Sequence, residues 1–151
     1  MATRYDIELA VSADASGIAL LSKETVEQGL PWRWTQQRVL ACIRDRNTNT
    51  VVARAIDRLV GFAIMKYGEE EASLLLFAVD PAYRRQRVGS ELLEWLEITA
   101  RTAGLRAIRL EARQDNQVAS VFYRHHGYEE IGVVHGYYQG LEDAVRFLKR
   151  L

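Results

Sequence analysis

Three arginines crowd one short run of this chain, Arg84-Arg85-Gln86-Arg87-Val88-Gly89-Ser90, and a helical pattern begins directly after it. A helix that starts there leaves its first N–H groups without internal partners and adds the positive end of its dipole. With guanidinium groups beside it, and Gly89 letting the backbone approach a ligand closely, the run can hold a diphosphate or another anion. A solvated basic turn ahead of an amphipathic helix is the plainer reading of the same residues. No Gly-Lys-Ser/Thr follows, which excludes a Walker-type phosphate loop. Farther along, Asn116 and Tyr123 stand seven residues apart and so share one helical face, two turns from each other. Glu111 alternates with Arg109 and Arg113, which makes it either a proton acceptor or a strand glutamate paired with one of those arginines. His135 is of a residue type that exchanges protons near neutral pH. His125 and His126 fall at a helix end, where they complement its dipole.

The elements that must position these groups follow from periodicity. Tyr5, Ile7, Leu9 and Val11 alternate as a first strand. Asp14 is placed to cap a helix over Ala15–Gln28 that Gly29-Leu30-Pro31 ends, and a second helix fits Thr35–Arg44. Strands fit Thr50–Ile56 and Arg58–Tyr67, with the turn near Asp57. Ala72–Val79 is nearly continuous in apolar residues, the pattern of a strand buried on both faces. The long helix runs over Val88–Ala103 with Gly104 after it, and a strand alternates over Ala107–Arg113. Asp115 can cap a helix over Asn116–His126 that Gly127 ends; two last strands, Tyr128–His135 and Ala144–Leu151, flank a Tyr-rich loop. The order β-α-α-β-β-β-α-β-α-β-β describes a mixed sheet covered by helices, an α/β or α+β fold.

The chain has 151 residues, 48% of them hydrophobic and 26% charged, so one globular domain over residues 1–151 is expected. Basic and acidic residues number 20 each, a formal net charge of zero that argues against a general nucleic-acid binder. Cys42 is the only cysteine, so no intrachain disulfide and no cysteine-based metal cluster can form. Apolar runs such as Leu59–Met65 are far shorter than the roughly 20 residues that cross a bilayer, and the first ten residues lack the apolar stretch of a signal peptide. A cytoplasmic, soluble protein is the expectation, with no membrane or nucleic-acid partner.

The arrangement and several local strings resemble the GNAT superfamily of N-acetyltransferases. The family signature Arg/Gln-x-x-Gly-x-Gly/Ala corresponds here to Arg84-Arg85-Gln86-Arg87-Val88-Gly89, with Arg87 in place of the first glycine. The resemblance implies that the backbone amides of this loop, through Ser90, hold the pyrophosphate of acetyl-CoA as acetyl donor. If φ at Arg87 is negative, its N–H can still take part and its side chain can add a charge-assisted contact. LLLFAVDPAYRR looks like the family's central strand, which carries a bulge and splays from its neighbour; the pantetheine arm pairs there with the backbone, a role that falls on Phe77, Ala78 and Val79. A backbone N–H there would also polarise the thioester carbonyl.

NQVASVFYRHHGY resembles the family segment Asn-x-x-Ala-x-x-x-Tyr followed by Gly-Phe/Tyr, met here by Asn116, Ala119, Tyr123, Gly127 and Tyr128. The resemblance makes Tyr123 the general acid that protonates the leaving thiolate, and Asn116 a cofactor contact that can also cap its helix. LEAR at Leu110–Arg113 is similar to Leu-Glu-Val-Arg of the ribosomal-protein N-terminal alanine acetyltransferase subgroup, where the glutamate is the base; Glu111, His135 or water fills that role here. Gly136–Phe147 is similar to the same subgroup's Tyr-Tyr…Asp-Ala segment and makes Tyr137 and Tyr138 lining residues of the acceptor slot. Trp32 and Trp34 line the other wall or staple the first two helices together. The resemblance implies an amine acetyltransferase working by direct attack in a ternary complex, without a metal. Its fold would be a mostly antiparallel sheet of about seven strands flanked by about four helices. The acceptor is a protein or peptide N-terminal α-amine; a small-molecule amine, or a non-catalytic acyl-CoA-binding role, are the alternatives. The last strands could pair into a homodimer.

Overall fold

The alternating segments become seven strands and the helical segments four helices in a computed structural model that describes residues 5–151. In chain order these are β1 (Asp6–Leu9), α1 (Ala15–Glu24), α2 (Gln36–Arg44), β2 (Thr48–Ala55), β3 (Arg58–Tyr67), β4 (Glu71–Val79), α3 (Val88–Thr102), β5 (Ala107–Arg113), α4 (Gln117–His125), β6 (Glu129–Tyr138) and β7 (Glu142–Arg150). They form one sheet in the order β1-β2-β3-β4-β5-β7-β6. Every neighbouring pair is antiparallel except β4 with β5. The expected element order therefore holds.

Two apolar layers sandwich the sheet. Ile18 and Leu21 of α1 and Val39 of α2 pack on Val52, Phe62 and Ile64. On the other face Leu92 and Leu96 of α3 and Tyr123 of α4 pack on Met65, Ile108 and Phe147. The α1/α2 layer covers only β2, β3 and β4, so among the described residues no helix lies over β5, β7 and β6 on that face.

Local sequence explains most helix ends. The Thr35 hydroxyl accepts from the Arg38 N–H and starts α2. Gly104 and Gly127 take φ of +81° and +87° just past α3 and α4, a conformation that glycine adopts without steric cost. The first helix departs from expectation. It stops at Glu24 rather than Gln28, because the buried Glu27 carboxylate gathers the Ser22 hydroxyl and the Arg33 and Trp34 N–H groups. A carboxylate bonded to backbone six and seven residues ahead folds the chain back on itself, which a continuing helix cannot do. Asp14 does not cap α1 through its side chain; it accepts from the Val11 N–H and pairs with Arg54 at 2.6 Å. The last two strands also reach further toward each other than expected, so Tyr137 and Tyr138 end β6 instead of lying in a loop.

Three phenols, Tyr123 and Tyr128 buried and Tyr138 half-buried, set the alkaline limit of this fold. Burial pushes Tyr123, Tyr128 and Tyr138 well above the usual phenol range, with Glu97 adding to the effect at Tyr128. A folded-state pKa raised in this way costs nothing below the unfolded value of about 10 and destabilises above it. Denaturant titrations should give a stability unchanged by these groups from neutral to about pH 10, then falling by up to about 1.4 kcal/mol per pH unit for each phenol. A stability that holds level well above pH 10 would show that these hydroxyls ionise freely.

Candidate active site

The site begins with a slip of one residue in β4. Ile64 faces Leu76 and Met65 faces Leu74, so Leu75 has no partner on β3 and bulges. Because side chains alternate with a period of two, the slip exchanges the faces of the strand. Ala72 and Leu74 join the α3/α4 core before it, whereas Leu76 and Ala78 join the α1/α2 core after it. The strand is not buried on both faces as its apolar run suggests: Leu75 is 41% exposed, and Phe77 and Val79 are half-buried.

The bulge coincides with a split in the sheet. β4 pairs with β5 only over Glu71–Leu74 and Ala107–Leu110, after which the two strands part. The Asp80 N–H donates to the Val60 carbonyl. Antiparallel bonding alternates, so Ala78 spends its backbone groups on β3 while those of Phe77 and Val79 face the gap. Of the three residues expected to present backbone to a ligand, the structure leaves Phe77 and Val79 free to do so and not Ala78.

The basic loop follows β4 directly. Arg84, Arg85, Gln86 and Arg87 are exposed, and the Tyr5 hydroxyl holds the Gln86 side chain at 2.6 Å. The first backward bond of α3 runs from Glu91 to Arg87, which leaves the Val88, Gly89 and Ser90 N–H groups without a backbone partner among the described residues. Arg85 and Arg87 adopt φ of +64° and +65°, so the condition of a negative φ at Arg87 is not met. Left-handed residues between residues of negative φ curl successive N–H groups into one concavity that receives anions. Arg87 sends its side chain along α3 toward Glu94, 3.5 Å away, rather than over those amides. Gly89 serves packing: a Cβ there would lie 3.3 Å from Cζ of Phe122. His126 reaches the same helix start, with Nδ1 2.9 Å from the Phe122 carbonyl and Nε2 3.0 Å from the Ser90 hydroxyl, so it does more than sit at the end of α4.

Replacing Arg87 with glycine separates strain from charge. The left-handed backbone costs an arginine about 1 kcal/mol, and the added freedom of glycine in the unfolded chain offsets most of that. Arg87→Gly should therefore leave stability within about 1 kcal/mol, yet weaken acetyl-CoA binding about threefold to tenfold at low salt, a gap that closes at high salt. Calorimetry with acetyl-CoA at two ionic strengths measures it; binding that tightens would mean that the arginine obstructs the loop.

Tyr123 lies on α4 against the rings of Phe77, Phe122, Tyr128 and Phe147, 7% exposed. Its hydroxyl has no hydrogen-bond partner among the described residues, and burial alone keeps it protonated far into the alkaline range. Asn116 accepts from the Ala119 N–H and so caps α4, the second of its two expected roles. Glu111 is on β5 with a side chain only 14% exposed, and its partner is neither Arg109 nor Arg113 but Arg146 across on β7, at 3.0 Å. The Tyr138 hydroxyl approaches the Glu111 carbonyl oxygen at 3.5 Å. His135, with a side chain 85% exposed, pairs with Asp143 at 3.1 Å.

Two further residues, not expected from the sequence, hold the rim. Arg113 forks onto both Glu142 carboxylate oxygens and donates to the carbonyls of Val26 and Gln28, tying the segment after α1 to β5 and β7. Gln139, between β6 and β7, donates to the Pro31 carbonyl at 3.1 Å and closes the rim from the other side. Sequence separations of 85 and 108 residues hide both contacts from local pattern. Trp34 packs into the α1/α2 core with the Arg38 guanidinium 3.7 Å from its ring centroid, the staple alternative, whereas Trp32 stays 43% exposed beside Pro31. Among the described residues no cluster of three or more metal-ligating side chains occurs. No described helix is long and apolar enough to cross a membrane.

Residues 17–128 match the acetyltransferase (GNAT) family. A [ribosomal protein bS18]-alanine N-acetyltransferase of Salmonella typhimurium is 34% identical over 115 residues, covering 74% of this chain and 77% of that protein. The crystal structure of Ard1 from Thermoplasma volcanium superposes with a TM-score of 0.86 at 27% identity, over 97% of both chains. That of the ribosomal-protein-S18-alanine N-acetyltransferase from Escherichia coli gives 0.84 at 25% identity, over 97% of this chain and 94% of that one.

Proposed function

The chain belongs to the GNAT acetyltransferase family, and from that premise we propose that it transfers the acetyl group of acetyl-CoA to the N-terminal α-amine of a protein, with ribosomal protein bS18 the first acceptor to test. The observation that carries the reading is the gap between β4 and β5, with unspent backbone groups of Phe77 and Val79 on one side and Glu111 on the other. An extended pantetheine arm fits such a gap, because it needs strand-like hydrogen-bond partners and little width. The thioester supplies an acetyl group activated toward an amine. The Val88, Gly89 and Ser90 amides would hold the diphosphate, flanked by Arg84, Arg85, Gln86 and Arg87. A backbone N–H at Phe77 or Val79 would steady the carbonyl oxygen as charge develops on it. Glu111 would take the amine proton, directly or through water, and the Tyr123 hydroxyl would give its proton to the sulfur. Tyr137 and Tyr138, with Trp32 opposite, would flank the acceptor.

The test is thiol release with acetyl-CoA and a peptide carrying the N-terminal sequence of bS18, with the acetylated atom located by mass spectrometry. Acetylation of the α-amine, and none on a peptide blocked at that position, is the expected result. Turnover confined to small amines would assign a metabolite acceptor. Acetyl-CoA binding without turnover of any amine would assign an acyl-CoA-binding role and overturn the enzyme reading.

A further inference from the structure

The start of α3 touches α4 at two neighbouring points. Gly89 lets the Phe122 ring close on the helix, and one turn further along α4 the half-buried His126 reaches Ser90. Both ring nitrogens of His126 are engaged, Nδ1 2.9 Å from the Phe122 carbonyl oxygen and Nε2 3.0 Å from the Ser90 hydroxyl. A carbonyl oxygen only accepts, so Nδ1 carries a proton. In the neutral ring Nε2 is then bare, and the Ser90 hydroxyl donates to it. Protonation reverses that bond: Nε2 gains an N–H, Ser90 becomes the acceptor, and the hydroxyl proton is free to turn elsewhere. The charged groups around the ring are tied to one another. On α3, Arg87 meets Glu94 at 3.5 Å, while Glu97 meets Lys149 of β7 at 2.8 Å and the Tyr128 hydroxyl at 3.1 Å. Glu91 turns to the other side of α3, into the groove beside Tyr5 and Ile7. On α4, Arg124 pairs with Glu130 of β6, and the His125 ring lies 5.3 Å from that of His126. Glu129 stands opposite Leu148 and so on the far face of the sheet from α4. From β4 only the Phe77 ring approaches, stacked on Phe122.

We propose that the Ser90 hydroxyl is a further donor to the diphosphate of acetyl-CoA and that His126 is the positioning residue that releases it, so that cofactor binding takes up a proton. This rests on the reading of the Val88, Gly89 and Ser90 amides as the diphosphate site. Within Ser90 the hydroxyl and the amide are close neighbours, and side chains on a helix lean toward its N-terminus, so the hydroxyl stands at the same end as those amides. With His126 neutral, the hydroxyl proton is held by the imidazole, and the oxygen lone pairs left for the ligand repel a phosphate oxygen. With His126 protonated, the hydroxyl donates to the phosphate and the imidazolium adds a positive charge beside it. Acetyl-CoA then binds the protonated form more tightly, and by linkage its binding draws a proton from solvent. Affinity is greatest at the acidic end of the range in which histidines exchange protons and falls as the pH rises through it.

The probe is acetyl-dephospho-CoA, because the 3′-phosphate of acetyl-CoA itself titrates at about pH 6 whereas the diphosphate keeps its charge. Calorimetry at about pH 6 and about pH 8, in buffers of different ionisation enthalpy, reads affinity and proton uptake together. The wild type should bind about fivefold to tenfold more tightly at the lower pH, with a buffer-dependent heat of the sign of proton uptake. Ser90→Ala keeps the amide and should bind almost equally at both pH values. His126→Gln and His126→Phe should do the same, at an affinity near that of the wild type at the higher pH; thermal melts show which variants are folded. His125→Gln should keep the full pH dependence. A wild-type affinity equal at both pH values, or a pH dependence that survives in Ser90→Ala and in the His126 variants, would overturn the proposal and leave the cofactor reading standing. A probe that fails to bind where acetyl-CoA binds would put the affinity at the 3′-phosphate and overturn it as well. Failure of both ligands to bind would remove the diphosphate reading and this one with it.

Discussion

Tyr123→Phe should lower kcat by about a hundredfold or more while acetyl-CoA affinity and thermal stability stay nearly unchanged. The physical case is that the substitution deletes one oxygen and nothing else. The ring keeps its contacts with Phe77, Phe122, Tyr128 and Phe147, which hold it in place. The hydroxyl surrenders no hydrogen bond among the described residues, so no partner there is left unsatisfied. Without a proton donor the sulfur must leave as a bare thiolate in a largely apolar surrounding, and that cost falls on the transition state alone. The pH profile sharpens the test. Burial holds the phenol well above its usual range, so the acid form persists and the wild-type rate should show no decline from this group up to about pH 10. Single-turnover kinetics across pH measure both points; a kcat within about threefold of wild type would make Tyr123 a core aromatic and return the proton to water.

Glu111→Gln is the second large effect, again about a hundredfold in kcat/KM near neutral pH. Glutamine can still accept the Arg146 hydrogen bond, made by the carboxylate at 3.0 Å, but it cannot carry a proton away. A peptide α-amine with a pKa near 8 sheds its own proton as the pH rises, so the deficit should shrink from neutral to about pH 9. The wild type should flatten earlier, because its base does this work at lower pH. Arg146→Leu removes the guanidinium that holds the Glu111 carboxylate in place, and should lower kcat/KM by a smaller factor than Glu111→Gln does. His135→Gln should stay within about twofold, since that ring is 85% exposed and engaged with Asp143. If Glu111→Gln is nearly silent and His135→Gln is not, the base has been misassigned.

The sequence by itself determined the order of elements and the run of residues on which each candidate group stands. Alternation and helical spacing are local, and so are caps and C′ glycines such as Thr35, Gly104 and Gly127; neighbours within a few residues decide them. The basic loop, the Tyr123 helix and the Glu111 strand were legible for that reason. What the tertiary structure alone decided is everything that depends on register. In the run Leu74-Leu75-Leu76-Phe77-Ala78-Val79 every position is apolar, so periodicity cannot tell which residue slips out. Pairing with β3 puts the bulge at Leu75, and that choice sends the Phe77 and Val79 backbone to the gap and ties Ala78 to β3. Glu111 sits two residues from Arg109 and Arg113, yet its partner lies 35 residues on, because β5 and β7 register Glu111 against Arg146. Arg113 and Gln139 become rim residues only when strands far apart in sequence bring the α1–α2 segment within reach. Local pattern records which way a side chain faces along its own strand. What that side chain meets is fixed by the hydrogen-bond register between strands, a property of two segments at once that neither encodes alone.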